Sequence, residues 1–137
     1  MDYNEALPFL QENHMAIVTT IGRSGRAQST VVSAAPLDGR MAFVSRERTS
    51  KVRNVRRGSR CVVTLVKPDT RRYITVEGPA TAQGFGDTEE AALLALLGSA
   101  YEAAGRSLSG WSDFAGSMKA EERALVLVTP ERVYGSI

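Results

Sequence analysis

Three apolar, β-branched runs follow one another within the first 45 residues, and only tight-turn signals separate them. They are Met15–Ile21 (MAIVTTI), Ala27–Ala35 (AQSTVVSAA) and Met41–Ser45 (MAFVS). Gly22-Arg23-Ser24-Gly25 parts the first two, and Leu37-Asp38-Gly39-Arg40 the second and third. Connections this short join antiparallel neighbours, and Asp-Gly favours the positive φ of a hairpin turn. A parallel sheet is thereby disfavoured, because each of its crossovers needs a dozen or more residues.

The rest of the chain extends this pattern. Cys61–Val66 reads as a fourth strand, nearly continuously apolar. A long fifth begins at Tyr73–Val76 and runs past Gly78-Pro79, where a kink is expected. Asp87-Thr88-Glu89-Glu90 then opens an Ala/Leu-rich helix that Gly105 ends, with acids in its first turn. A Ser/Gly-rich connection follows, with a second helical stretch expected around Trp111–Met118. Ala124–Val128 (ALVLV) is a sixth strand, and Pro130–Gly135 closes the chain. At the N-terminus Leu7, Phe9 and Leu10 share one side of a short helix, which Pro8 is expected to confine to a turn or two. The sum is an α+β, mainly β, chain: a six-stranded antiparallel barrel decorated by helices. Its 137 residues fit one domain, residues 1–137.

Composition narrows the function. The chain is 43% hydrophobic and 23% charged, with a net charge of only +2. A global polyanion binder is not implied. The single cysteine, Cys61, sits in an apolar run, and no intrachain disulfide can form. His14 is the only histidine, so no zinc cluster can be assembled and no metal is expected. A Ser-His-Asp triad would have to use that one residue. No Walker loop, no G-x-G-x-x-G and no G-x-S-x-G is present. No apolar run spans a membrane, and the acidic, amphipathic N-terminus is unlike a signal peptide. The expectation is a cytoplasmic protein without membrane or nucleic-acid partners. A chain so poor in acids and bases can still catalyse if a cofactor carries the reaction.

Positive charge is concentrated in SRERTSKVRNVRRGSR, between the third and fourth strands. Val52 and Val55 share a face of a short helix, Thr49 or Ser50 can cap it, and Gly58 can end it. Three readings stand side by side: a solvated face, a nucleic-acid contact, or a hold on a phosphate. Interleaved aromatics are missing, which weighs against the second. The Thr-Ser-Lys entrance to a helix favours the third. Trp111 and Phe114, three apart in a polar segment, would share a helix face, either as packing or as an aromatic wall.

The ordered set NHMAIVTTIGRSGRAQSTVVSAA, MAFVSRERTSKVRNVRRGSRCVVTLV, YITVEGPATA, WSDF and ALVLVTPERVYG resembles the split β-barrels that bind flavins and deazaflavins, the relatives of pyridoxamine 5′-phosphate oxidase. It is most similar to the B-type reductases that use the deazaflavin coenzyme F420. The resemblance implies a split barrel of the FMN-binding type, paired as a homodimer with cofactor grooves at the subunit interface. It implies hydride exchange between F420 and an unsaturated or conjugated small-molecule substrate. FMN is the alternative cofactor, and a non-catalytic carrier is an alternative role. It places Lys51, with Ser50 and Thr49, at the cofactor phosphate, supported by Asn54 and Arg57. Ser29, Thr30, Val31 and Val32 would lie along the ring, with Ser45 near the ring or ribityl chain. Trp111 and Phe114 would reach the groove from one protomer or the other. Arg46, Arg48 and Arg53 would accompany an acidic tail, leaving Arg56 and Arg60 as solvated face. No catalytic side chain is singled out. The substrate phosphate-binding Arg and His set of true pyridoxamine phosphate oxidases is missing from the C-terminus.

Overall fold

A computed structural model describes all residues 1–137. Helix α1 is Tyr3–Glu12, followed by strands β1 Met15–Ile21, β2 Ala27–Leu37 and β3 Arg40–Arg46. Helix α2, Ser50–Arg56, leads into β4 Cys61–Lys67, β5 Arg72–Gly78 and β6 Ala80–Gln83. Helix α3, Glu90–Ala103, a 3-10 turn at Leu108–Gly110 and α4, Phe114–Ala120, precede β7 Arg123–Val128 and β8 Arg132–Ser136.

All strand pairs are antiparallel, in the order β6-β7-β3-β2-β1-β4-β5-β8. The fold is the expected split barrel of α+β class, but with eight strands rather than six. Gly78-Pro79 divides the expected fifth strand: β5 pairs with β4 and β8, whereas β6 pairs with β7. The C-terminal segment adds the eighth strand, β8, on β5. Asp38 and Gly39 both take positive φ, at 50° and 80°, in the turn from β2 to β3. Pro8 does not shorten α1, which runs ten residues behind a capping box of Asp2 and Glu5. The second late helix begins at Phe114, so Trp111 lies ahead of it and not on it.

Alternation sets two apolar layers. Met41 and Phe43 of β3 and Ala124, Val126 and Val128 of β7 face the barrel interior with Val18, Val63, Leu65 and Ile74. Ala42, Leu125 and Leu127, one residue out of phase, face Leu93, Leu97 and Tyr101 of α3 and Met118 of α4. Val52 and Val55 put α2 against the interior cluster, and the helix contacts β1, β2, β6 and β7. Each large buried side chain contributes about 1.5–3 kcal/mol, against about 0–1 kcal/mol for an exposed ion pair. Packing therefore holds α2, and ion pairs orient it. Arg56 bridges Glu47, at 2.6 Å, and Asp87, also at 2.6 Å. The Gly84 N–H and Arg56 hold the Asp87 carboxyl down to about 2. Cys61 is fully buried, and burial pushes its thiol up to about 12, as suits a small core hydrophobe.

At Gly78, where β5 yields to β6, a Cβ would overlap the backbone carbonyl oxygen of Thr129. A backbone atom cannot swing aside as a side chain can. Gly78→Ala is expected to lower stability by more than about 2 kcal/mol in urea melts, because relief requires parting strands.

Candidate functional site: a cationic groove at the split between β2 and β3

Strand β2 changes partner along its length. Ala27–Ser33 pair with β1, and Ala34–Leu37 pair with β3. The last β2–β3 pair is Ala34 with Phe43, and beyond it Val44–Arg46 continue on β7 alone. The two strands diverge there. Over Ala27–Ser33, β2 keeps an edge with no strand beside it, and its backbone groups are open to hydrogen bonding.

A cavity of about 290 Å3 fills the wedge. Val31, Val32 and Ser33 line one wall, and Phe43, Val44 and Ser45 the other. Ala100, Tyr101, Ala104, Arg106 and Trp111 supply a side from α3 and the segment after it, and Lys51 and Arg123 complete the lining. Three cations and no carboxylate line this space.

Lys51 is half-buried at the start of α2 and forms no ion pair or side-chain hydrogen bond. Burial and the neighbouring Arg123 guanidinium both lower its pKa from the ordinary lysine value. A desolvated lysine without a counter-ion beside a second cation is costly, and an anion at Lys51 relieves the cost. Helix α2 has only seven residues, so the side-chain charges rather than a helix dipole supply most of the attraction. Arg123 is paired with Glu121 at 2.9 Å, whereas Lys51 has no acid.

The expected site residues divide. Lys51, Ser45, Val31, Val32 and Trp111 line the groove. Thr49 takes the N-cap position, yet its hydroxyl donates to the Arg46 carbonyl at 2.8 Å instead of capping α2, and meets the Ser45 hydroxyl at 3.1 Å. Thr49 thus fixes the β3–α2 turn and the Ser45 hydroxyl. Ser50 is exposed and outside the lining. Asn54 is buried at the barrel end, where its amide donates to Thr20 at 3.0 Å and Gln28 at 3.4 Å, and its carbonyl accepts from Arg57. Asn54 braces α2 against β1 and β2, the exposed Arg57 holds the Asn54 carbonyl, and neither lines the cavity. Ser29 bonds Thr19 across the strand pair at 2.8 Å. The Thr30 hydroxyl is buried without a partner, one residue from the lining Val31. Phe114 stands behind the wall: Tyr101, Trp111 and Phe114 meet edge to face, with centroids 5.5–5.8 Å apart.

Arg46, Arg48 and Arg53 form no ion pair, whereas Arg56 and Arg60 do. The last two are clasps to Glu47, Asp87 and Glu131 rather than free solvated charge. His14 is half-buried, with Nδ1 3.1 Å from the Ala34 carbonyl oxygen. Sequence reasoning missed Tyr101, Arg106 and Arg123. Arg106 follows the helix-ending Gly105, and Arg123 opens the ALVLV strand; both positions look ordinary until the chain folds. No group of three His, Cys, Asp or Glu side chains comes together. No helix is long and apolar enough to cross a membrane.

Many solved structures share this architecture. The conserved hypothetical protein Rv2991 from Mycobacterium tuberculosis superposes with a TM-score of 0.78 at 24% identity, covering 99% of this chain and 84% of the other. A protein named F420 reductase gives 0.67 at 18%, covering 98% of each chain. HutZ, the heme storage protein of Vibrio cholerae, gives 0.66 at 13%, covering 98% and 94%. At these identities the likeness establishes the fold alone. No curated protein is significantly similar in sequence. The family model described as pyridoxamine 5′-phosphate oxidase matches residues 4–136, the full run of strands that builds the groove, and the chain belongs to that family.

Proposed function

We propose that this protein is a cytoplasmic F420-dependent oxidoreductase of the B-type group. It exchanges a hydride between the deazaflavin and an unsaturated or conjugated organic substrate. The observation that carries the reading is Lys51, a half-buried cation beside Arg123 with no anion of its own. A cofactor phosphate suits that position. The free edge of β2 suits the alternating N–H and C=O groups on one side of a flavin or deazaflavin ring. The apolar walls Val32, Phe43 and Val44 suit its flat body. Bound there, the reduced deazaflavin supplies the hydride. The chain's own residues hold the phosphate, orient the ring and exclude water.

Arg46, Arg48 and Arg53, free of acids, suit an acidic tail and favour the deazaflavin over FMN. FMN is the second reading, since the phosphate and ring contacts are common to both. A third, a carrier that binds without turnover, draws support from a groove without carboxylate or histidine. Parallel titration with F420 and FMN, followed by turnover with conjugated acceptors, separates the three. Tighter binding of FMN would overturn the deazaflavin assignment.

The groove, at about 290 Å3, is at the low end for ligand sites. A second copy of the chain would enlarge it. Val31, Ile17, Thr64 and Tyr134 lie in one row on the outer face of β2, β1, β4 and β8, with the row's β5 residue, Thr75, buried beneath its neighbours. Met15, Ile17, Ile21 and Val31 are 40–71% exposed, an unusual run of bare aliphatics. Val31 belongs both to that row and to the groove. A homodimer formed on this face would bring the two grooves to the interface. Ile17→Glu is expected to yield monomers in analytical ultracentrifugation and to weaken cofactor binding; a dimer of unchanged affinity would rule out this face.

Lys51 gives a two-sided test. Its folded pKa is lowered, so the folded protein holds this proton less tightly than the unfolded chain. The charged lysine therefore opposes folding at neutral pH, and the opposition fades as pH rises through the lowered pKa. Lys51→Met keeps the stem and removes the charge. It should raise stability by up to about 1 kcal/mol, discounted for solvent screening, while weakening F420 binding by roughly 1.5–3 kcal/mol. Unchanged affinity in a fluorescence titration would remove Lys51 from the site.

A further inference from the structure

We propose that Arg106, held over the Tyr101 ring beside Trp111, recognises a carboxylate on the substrate. The inference rests on the reading above and narrows the substrate to anionic conjugated molecules.

The groove has two cationic ends. Lys51 and Arg123 stand where β2 and β3 have separated: Ser45, which lines the groove, pairs with Ala124 beside Arg123. The backbone leading into Arg106 lies toward the end where β2 and β3 pair, and the Arg106 side chain is exposed at the rim. A Cβ on the preceding Gly105 would lie 3.7 Å from His14 Cδ2. The His14 ring in turn meets the carbonyl oxygen of Ala34, the last β2 residue to pair with β3. A phosphate at Lys51 thus leaves Arg106 free for a different anion.

The placement of Arg106 is built rather than incidental. Gly105, with φ +80°, closes α3. Its N–H donates to the Glu102 carbonyl at 3.0 Å, and the Arg106 N–H donates to the Tyr101 carbonyl at 2.9 Å. This double closure ties the Arg106 backbone to the residue whose ring its guanidinium covers, at 6.0 Å from the centroid. Tyr101 is itself fixed by edge contacts with Trp111 and Phe114. No carboxylate pairs with Arg106 and none lines the cavity. The guanidinium fork matches a carboxylate in two parallel hydrogen bonds, and the adjacent rings offer a flat apolar surface to a conjugated system.

Trp111 is the only tryptophan of the chain, so its fluorescence reports occupancy of this end directly. Sorbate, a conjugated carboxylate, and its neutral methyl ester are the probes, titrated into purified protein with and without F420. Sorbate is expected to bind about tenfold or more tightly than the ester. Arg106→Gln should abolish that preference while leaving F420 affinity within about twofold, and Arg106→Lys should restore only part of it. No sorbate binding by the unmodified protein, an equal affinity for acid and ester, or a preference that survives Arg106→Gln overturns the proposal. So does a loss of F420 affinity in Arg106→Gln matching the loss for sorbate, which would assign Arg106 to the cofactor. An Arg106-dependent preference in a protein that binds no F420 would sustain this site and overturn the deazaflavin reading instead.

Discussion

The partner change of β2 at Ser33-Ala34 is the constraint from which the rest follows. Strand β3 stays paired with β7 from Met41 to Arg46 but with β2 only as far as Phe43, so the sheet opens where β2 and β3 part and the facing edge of β2 is left without a strand. That opening exposes a strand edge, creates the wedge, and puts the β3–α2 turn at its mouth. Thr49, tied to the Arg46 carbonyl and to Ser45, fixes the turn, and Lys51 follows two residues later. Had β2 and β3 paired to their ends, the cations would have met a continuous sheet.

Energetically the groove opposes the core. Buried aliphatic side chains in two layers stabilise the fold, while Lys51 beside Arg123 works against it. Such a cost persists when the surrounding structure outweighs it and the strained feature is of use. The contrast within one basic segment is informative. Arg56 and Arg60 are neutralised by Glu47, Asp87 and Glu131, and Asn54 and Arg57 bond each other. Lys51, Arg46, Arg48 and Arg53 have neither an acid nor a side-chain hydrogen bond, and Arg57 has only the Asn54 amide. Charge in this stretch is therefore divided between holding α2 in place and leaving cations for an anion.

Membership of the pyridoxamine 5′-phosphate oxidase family fixes the scaffold, and that scaffold serves proteins named for very different ligands, from F420 to heme. Chemistry in such a family resides in the groove lining. Here that lining combines an unneutralised lysine, the Tyr101 and Trp111 rings, and an arginine, Arg106, that has no acid. The proposed phosphate-bearing cofactor and anionic substrate are chosen to complement that arrangement.

The sequence by itself determined the hairpin succession, the Asp38-Gly39 turn, the helix ended by Gly105 and the cationic entrance at Lys51. These are local matters of φ preference, alternation and charge, written within a few residues of where they act. It also marked a kink at Gly78-Pro79 in one long strand, without showing that the chain divides there into two strands with different neighbours. Tertiary structure alone decided that Asn54 turns inward as a brace, and that Arg56 finds Glu47 and Asp87. It alone brought Tyr101, Arg106 and Arg123 to the groove, from positions 50 to 72 residues beyond Lys51. Contacts across such separations depend on how strands choose partners, and no periodicity within a segment records that choice.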